Sequence, residues 1–205
     1  MTWTRREWLL TALAMSAPPS AIAIPLNRVT DTRARLAPEA HGHFWRTVWP
    51  EAARALHRGG IELECVDTAG AIKFSAADRP IIEGLDRAKL NLVLTGRIPM
   101  LWDQARNLAG VTTIYDRATL SMIALNRAHT LRVPFIDTNT VVHELLHAML
   151  GDVLVRKPGW YQASEREMRA DAYATRLALF GDGFAVRAAA ARMVLRLRRE
   201  AAQLR

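Results

Sequence analysis

Two histidines one helical turn apart constrain this chain more than any other feature of its sequence. His143 and His147 are separated by Glu144 and two leucines. The flanking sequence predicts a helix, because residues 137–139 offer N-cap side chains and Gly151 offers a stop. A spacing of four residues puts both imidazoles on one side of that helix, where they can hold one zinc ion. Glu144 lies about 100° around the helix and can reach a water beside the metal without being a ligand.

The predicted motif helix is apolar on every side, which indicates burial. Two histidines and a glutamate inside it therefore need polar partners or a metal. The alternative is a pair of core histidines bonded to backbone carbonyls, but this motif arises by chance in roughly 1 chain in 100, which favours the metal site. The apolar residues form two stripes, Val141, Leu145 and Ala148 on one side and Val142, Leu146 and Met149 on the other.

The first residues of the chain resemble an export signal rather than part of a folded domain. Arg5 and Arg6 precede a short apolar run and resemble the twin-arginine export signal, and Ala21 and Ala23 form an Ala-x-Ala cleavage pattern. An uncleaved anchor is the alternative. We predict a signal peptide over residues 1–23, a loose mature N-terminus over 24–42 and one domain over 43–205, located in the periplasm or secreted.

The order of periodic segments predicts an α+β fold, with helices packed on one small sheet. Residues 61–66 and 71–75 alternate around a turn, so we expect a hairpin there. Helices are expected over 44–58, 164–180 and 184–204, and strands over 90–95, 111–115 and 120–125. His41 and His43 could bind a metal, but we expect them in a solvated loop.

Charge and cysteine content exclude several classes of function. The net charge is +8, but the arginines are scattered without interleaved aromatic residues, so we expect no nucleic-acid partner. Cys65 is the one cysteine, which excludes an internal disulfide and any cysteine-based zinc site. Its alternating surroundings are typical of a strand. No stretch of the mature sequence is long and apolar enough to predict a transmembrane helix. The oligomeric state is not indicated.

A third zinc ligand is offered by the segment from Glu167 to Asp171. His-Glu-x-x-His followed 20 residues later by Glu-x-x-Ala-Asp resembles the gluzincin metallopeptidases. The residue sequences of both motifs are similar to those of the Ste-type and heat-shock-type membrane gluzincins, although this chain lacks their membrane helices. The resemblance covers roughly residues 138–185. On a helical wheel Glu167 shares an apolar face with Asp171, whereas Glu165 points about 160° away toward arginines, so Glu167 is the expected ligand.

The resemblance implies a zincin-like fold and an exported zinc-dependent metalloendopeptidase acting on peptides or proteins. One Zn2+ would be held by His143, His147 and Glu167, with Glu144 as general base for a zinc-activated water. Asp171 would orient a ligating imidazole. An extended substrate would pair with the strand at 120–125 or its neighbour. The alternatives are a zincin-like metal-binding or structural protein without significant peptidase activity, and hydrolysis of a non-peptide amide. Tyr161 and Tyr173 are candidate oxyanion donors, without a motif to select either.

Overall fold

The computed structural model describes residues 21–74, 80–96, 98, 109–126, 137–150, 170, 174 and 184–204. Helices and strands are mixed along this part of the chain. The strands are β1 (Ile22–Asp31), β2 (Ile61–Gly70), β3 (Ile72–Phe74), β4 (Pro80–Ile82), β5 (Leu90–Thr95), β6 (Gly110–Tyr115) and β7 (Ala118–Ala124). The helices are α1 (Pro38–His43), α2 (Trp49–Arg58), α3 (Thr138–Leu150) and α4 (Phe184–Gln203), with a π-helical segment, Phe44–Val48, between α1 and α2.

A five-stranded sheet in the order β2-β1-β5-β7-β6 forms the centre of the fold. Its first four strands are parallel and β6 runs antiparallel to β7. Neighbouring parallel strands need a crossover between them, and α1 and α2 provide one between β1 and β2. β3 and β4 form a separate antiparallel pair. The expectation of a mixed α and β fold is confirmed.

Both faces of the sheet are covered, as a mostly parallel sheet requires. Alternate side chains of β5 enter two different cores. Leu92 and Leu94 pack in the larger core with residues of α2, α3 and α4. Val93 packs on the opposite face with Ile72 and Ile82, which belong to β3 and β4. The sheet therefore has helices on one side and the small β3–β4 sheet on the other.

The prediction of a loose N-terminus over residues 24–42 was wrong. Residues 22–31 form β1, which lies inside the sheet between β2 and β5. Ile24, Leu26 and Val29 are fully or almost fully buried. Pro25 and the spacing of these apolar residues made this strand hard to recognise, and only parallel pairing with two distant strands stabilises it. The predicted signal peptide over residues 1–23 stays a prediction, because residues 1–20 lie outside the described part; its last two residues, Ile22 and Ala23, begin β1.

The predicted hairpin of residues 61–66 with 71–75 was also wrong. β2 continues to Gly70 because its last residues keep pairing in parallel with β1, up to Asp31 opposite Gly70. Arg28 donates two hydrogen bonds of 2.7 Å to the Asp67 carboxylate, across the two strands. The segment beyond Gly70 then pairs with β4 instead of folding back on β2. Cys65 is a strand residue, as predicted.

The helix predicted over residues 44–58 begins earlier than expected. It ends at Arg58, as predicted, but helical structure starts at Pro38 and passes through the π-helical segment. His41 and His43 are consequently in α1, and the expectation of a solvated loop was wrong. The indole Nε1 of Trp45 donates a 3.0 Å hydrogen bond to His41 Nε2. Residues four apart are neighbours on a helix, so the helical backbone brings these two rings together.

Other elements agree with the sequence. β5 has the predicted bounds, and β6 and β7 are joined by the two-residue turn Asp116–Arg117, whose φ angles of 46° and 66° suit a tight hairpin. α4 corresponds to the last predicted helix. Within the described residues, no helix is long and apolar enough to cross a membrane.

Candidate metal centre

The helix that carries the histidine pair starts where its sequence predicts. Asp137 precedes α3, and its Oδ1 accepts hydrogen bonds of 2.7 Å from both the backbone N–H and the hydroxyl of Thr140. This is the N-cap arrangement that satisfies a free amide of the first turn. Thr138 adds a 2.8 Å hydrogen bond to Glu51 on α2. The first turn of α3 is thereby fixed against a neighbouring helix.

The motif helix is buried on all sides, as its sequence predicts. It packs between the sheet at β6 and β7 and the helices α2 and α4. Glu144 is 7% exposed and His147 is 5% exposed, whereas His143 is half-buried. The apolar residues of both predicted stripes are all buried, namely Val141, Val142, Leu145, Leu146, Ala148 and Met149. Three polar side chains thus lie within residues 141–150, the otherwise apolar part of the helix.

The two imidazoles converge on one point. Their Nε2 atoms are 2.9 Å apart, and the ring centroids are 4.5 Å apart with an angle of 78° between the ring planes. Two nitrogen ligands of a tetrahedral zinc ion are about 3.3 Å apart, given zinc–nitrogen bonds of about 2.0–2.1 Å. An opening of a few tenths of an ångström would suit both rings to that geometry. The donor set therefore fits zinc at two of its ligand positions.

The 2.9 Å separation between the two Nε2 atoms also permits a hydrogen bond between the rings. It requires a proton on one Nε2 atom, because two neutral nitrogens without a proton have nothing to share. Metal binding requires both Nε2 atoms to be unprotonated, so that each neutral ring carries its proton on Nδ1. The two states differ in tautomer, and an isotopically labelled histidine spectrum distinguishes them.

The Glu144 side chain is held against the sheet by strands β6 and β7. Thr112 Oγ1 lies 2.7 Å from Glu144 Oε2 and 2.8 Å from the Glu144 carbonyl oxygen. Ser121 Oγ lies 3.1 Å from the same carbonyl oxygen and 2.9 Å from Thr112 Oγ1. Gly110 leaves room for the Glu144 side chain, since a Cβ there would lie 2.5 Å from Glu144 Cγ. We call Gly110, Thr112 and Ser121 the Glu144 cradle.

The cradle was not predicted from the sequence, although the sequence contains a signal for it. A two-residue turn at positions 116 and 117 fixes the register of the hairpin, and that register places Thr112 opposite Ser121. Two hydroxyl side chains facing one another just before the motif helix could therefore have been found. Which face they occupy, and that this face meets Glu144, follows only from the packing of α3 on the hairpin.

Strand β6 is the last strand of the sheet at this end, among the residues described. Ala124 N donates a 2.9 Å hydrogen bond to Ala109 O, and bonding in an antiparallel pair alternates along the strand. Backbone groups of Gly110, Thr112 and Ile114 therefore point away from β7. The predicted substrate strand was 120–125 or its neighbour, and the neighbour, β6, is the one at the edge.

The remaining predicted site residues lie outside the described part of the chain. These are Glu167, Asp171, the competing Glu165, and the two tyrosines at 161 and 173. Ala170 and Ala174 are described; both are helical and fully buried, and Ala174 belongs to the core around α3. Within the described ranges no three His, Cys, Asp or Glu side chains form a group suited to a metal. No protein-family model, curated protein or solved structure matches this chain.

Proposed function

We propose that this chain is an exported zinc-dependent metalloendopeptidase with a zincin-like fold. The observation that carries the proposal is the convergence of His143 and His147, with Nε2 atoms 2.9 Å apart, on a buried helix that also holds Glu144. Burying these groups together has a free-energy cost that a bound metal would offset. The edge position of the antiparallel strand β6 beside the motif helix supports the zincin-like fold.

Zinc would be held by the Nε2 atoms of His143 and His147 and by the Glu167 carboxylate. Bound there, it would supply a Lewis acid that lowers the pKa of a water to about 7. The choice of Glu167 as the third ligand is supported by Ala170 and Ala174, which are both helical and fully buried. On a helical wheel Glu167 lies about 20° from Ala174, whereas Glu165 lies about 180° from it. If the predicted helix runs through both positions, a carboxylate near the Ala174 direction would face the core and would need a cation there.

Two further side chains, Glu144 and Asp171, then act around the metal. Glu144 accepts the proton of the attacking water and returns it to the leaving amine, as a general base and then a general acid. Asp171, about 60° from Ala174 on the same wheel, accepts the Nδ1–H of one ligating ring. That hydrogen bond fixes the tautomer that leaves Nε2 free for the metal.

An extended polypeptide is the substrate class that the sheet edge favours over a small amide. Gly110, Thr112 and Ile114 direct backbone N–H and C=O groups away from β7, and the Ile114 side chain is 50% exposed. Main-chain pairing at such an edge gives affinity without a demand for one side-chain sequence. The same stretch of β6 contacts Glu144, so a peptide paired there would run past the general base.

The function is tested by measuring zinc content and the cleavage of casein or a peptide library by residues 24–205, with and without a chelator. We expect one zinc per chain, chelator-sensitive cleavage within the polypeptide, and recovery on adding zinc back. Zinc binding without cleavage of any substrate would favour the alternative of a zincin-like binding protein. Cleavage of small amides alone would favour an amidase, and chains that bind no zinc would contradict the metal centre.

A further inference from the structure

We propose that Gly110 and Thr112 are positioning residues that fix the Glu144 carboxylate before substrate arrives. This inference rests on the function proposed above, in which Glu144 moves the proton. Both residues lie on β6, more than thirty residues before Glu144 in the sequence, and both contact its side chain. The cradle therefore couples the edge strand of the sheet to the reacting carboxylate on α3.

Gly110 provides space for Glu144 rather than a special backbone conformation. A Cβ built on Gly110 would lie 2.5 Å from Glu144 Cγ, 2.8 Å from Oε1 and 2.9 Å from Cδ. Real Cβ contacts are longer, so an alanine would displace the glutamate side chain. The positive-φ glycines of the described residues are Gly60 and Gly84, and Gly110 is not among them. Its backbone therefore accepts an L-residue, and the three atoms nearest to an added Cβ all belong to Glu144.

Thr112 provides the directional contact. Its hydroxyl has one proton and lies near three oxygens, the Glu144 carboxylate at 2.7 Å, the Glu144 carbonyl at 2.8 Å and Ser121 Oγ at 2.9 Å. A base carries its charge, and an ionised carboxylate is the strongest acceptor of the three, so the Thr112 hydroxyl donates its hydrogen bond to Glu144 Oε2. The Ser121 hydroxyl can then donate to the Glu144 carbonyl oxygen, 3.1 Å away. This assignment gives the carboxylate an oriented donor at Oε2.

Fixing the side chain matters because glutamate has three rotatable side-chain bonds and a proton transfer needs one geometry. A base must lie within hydrogen-bond reach of the proton that it removes. The space left by Gly110 admits the Cγ and Cδ atoms beside β6, and the Thr112 hydroxyl selects the rotation of the carboxylate. Glu144 therefore loses little conformational entropy when the substrate arrives, which favours catalysis.

The first test is Gly110→Ala. We expect kcat to fall about 100-fold while KM stays within about threefold, because binding groups are unchanged and the base is displaced. Zinc content should stay at one per chain, and the melting temperature should change little, because the lower backbone entropy cost of alanine offsets part of the strain of displacing Glu144. Gly42→Ala is the matched control. The three atoms nearest to its added Cβ belong to the Arg46 guanidinium group, at 3.0–3.3 Å, and activity should be unchanged.

The second test separates the Thr112 hydroxyl from its bulk. Thr112→Val keeps the shape and removes the donor to a charged group, so kcat should fall about tenfold. Thr112→Ser keeps the donor and should stay within about threefold of the parent. Thr113→Val is the control on the same strand and the opposite face. Equal losses for the valine and serine variants at position 112, or full turnover of Gly110→Ala, would overturn the proposal.

A readout independent of activity keeps this inference distinct from the function itself. The side-chain 13C signal of Glu144 in selectively labelled, zinc-free protein should report one rotamer in the parent chain. We expect rotamer averaging or a shifted signal in Gly110→Ala and Thr112→Val, and neither change in Thr112→Ser. If the parent chain neither binds zinc nor cleaves peptides, the proposed function is wrong. The spectrum still shows whether Gly110 and Thr112 fix the Glu144 side chain. An unchanged Glu144 signal in both altered chains would overturn the cradle.

Discussion

Replacing Glu144 with glutamine is the sharpest test of the chemistry, because it changes charge and basicity but hardly changes shape. Thr112 Oγ1 lies 2.7 Å from Glu144 Oε2, and the amide oxygen of a glutamine can accept the same hydrogen bond. The space over Gly110 that holds the carboxylate also fits an amide. We therefore expect the fold around α3 to be retained in Glu144→Gln.

The expected loss of turnover is much larger than the expected loss of stability. Removing a general base costs about 100- to 10,000-fold in rate, which is about 2.7–5.4 kcal/mol. The hydrogen bond from Thr112 loses its charge assistance, a cost of about 1 kcal/mol. The substitution also removes a charge from Glu144, which is only 7% exposed, and this change stabilises the fold. The two stability terms oppose each other, so the melting temperature should move by less than about 4 °C.

The assay measures turnover, zinc per chain and melting temperature on the same preparations of the parent and Glu144→Gln. Turnover should fall at least about 100-fold, with one zinc per chain retained. Zinc lost together with turnover would mean that Glu144 is a ligand or a structural residue, and the assignment of the general base would then be wrong. Retained turnover would contradict the proposed mechanism directly.

Three further predictions concern metal, ligand and location. Saturating zinc, at about 1,000 times its Kd, should stabilise the chelated protein by about 4 kcal/mol and raise its melting temperature by about 8–16 °C in calorimetry; no shift would argue against a preformed metal centre. Glu167→Gln should strip zinc and abolish activity while Glu165→Gln changes neither, as measured by metal content at neutral pH, and the reverse result would refute the helical phase. The mature chain should begin at Ile24 by N-terminal sequencing, and replacing Arg5 and Arg6 with lysines should retain the protein in the cytoplasm; full-length protein at its normal location, unaffected by the change, would contradict export.

Several features of this protein could be predicted from local sequence because short-range physics decides them. Asp137 caps α3 because its carboxylate reaches Thr140 three residues away. The histidine pair converges because the helix places positions 143 and 147 on adjacent turns. The turn at Asp116 and Arg117 joins two alternating strands, and the left-handed backbone conformation of these two residues is enough to form the hairpin. In each case the interacting groups lie within a few residues of one another.

Contacts between distant residues were decided only by the tertiary structure. β1 is a strand because β2 and β5 pair with it on both sides, and residues 24–42 alone carry too weak a pattern to reveal this. The last residues of β2 pair with β1 instead of forming a turn, since a ladder already in register with Asp31 extends further than a local hairpin would. The cradle likewise depends on α3 packing across the hairpin. Local sequence therefore determined the convergence of the histidine pair, whereas the tertiary packing decided how the neighbouring Glu144 is held.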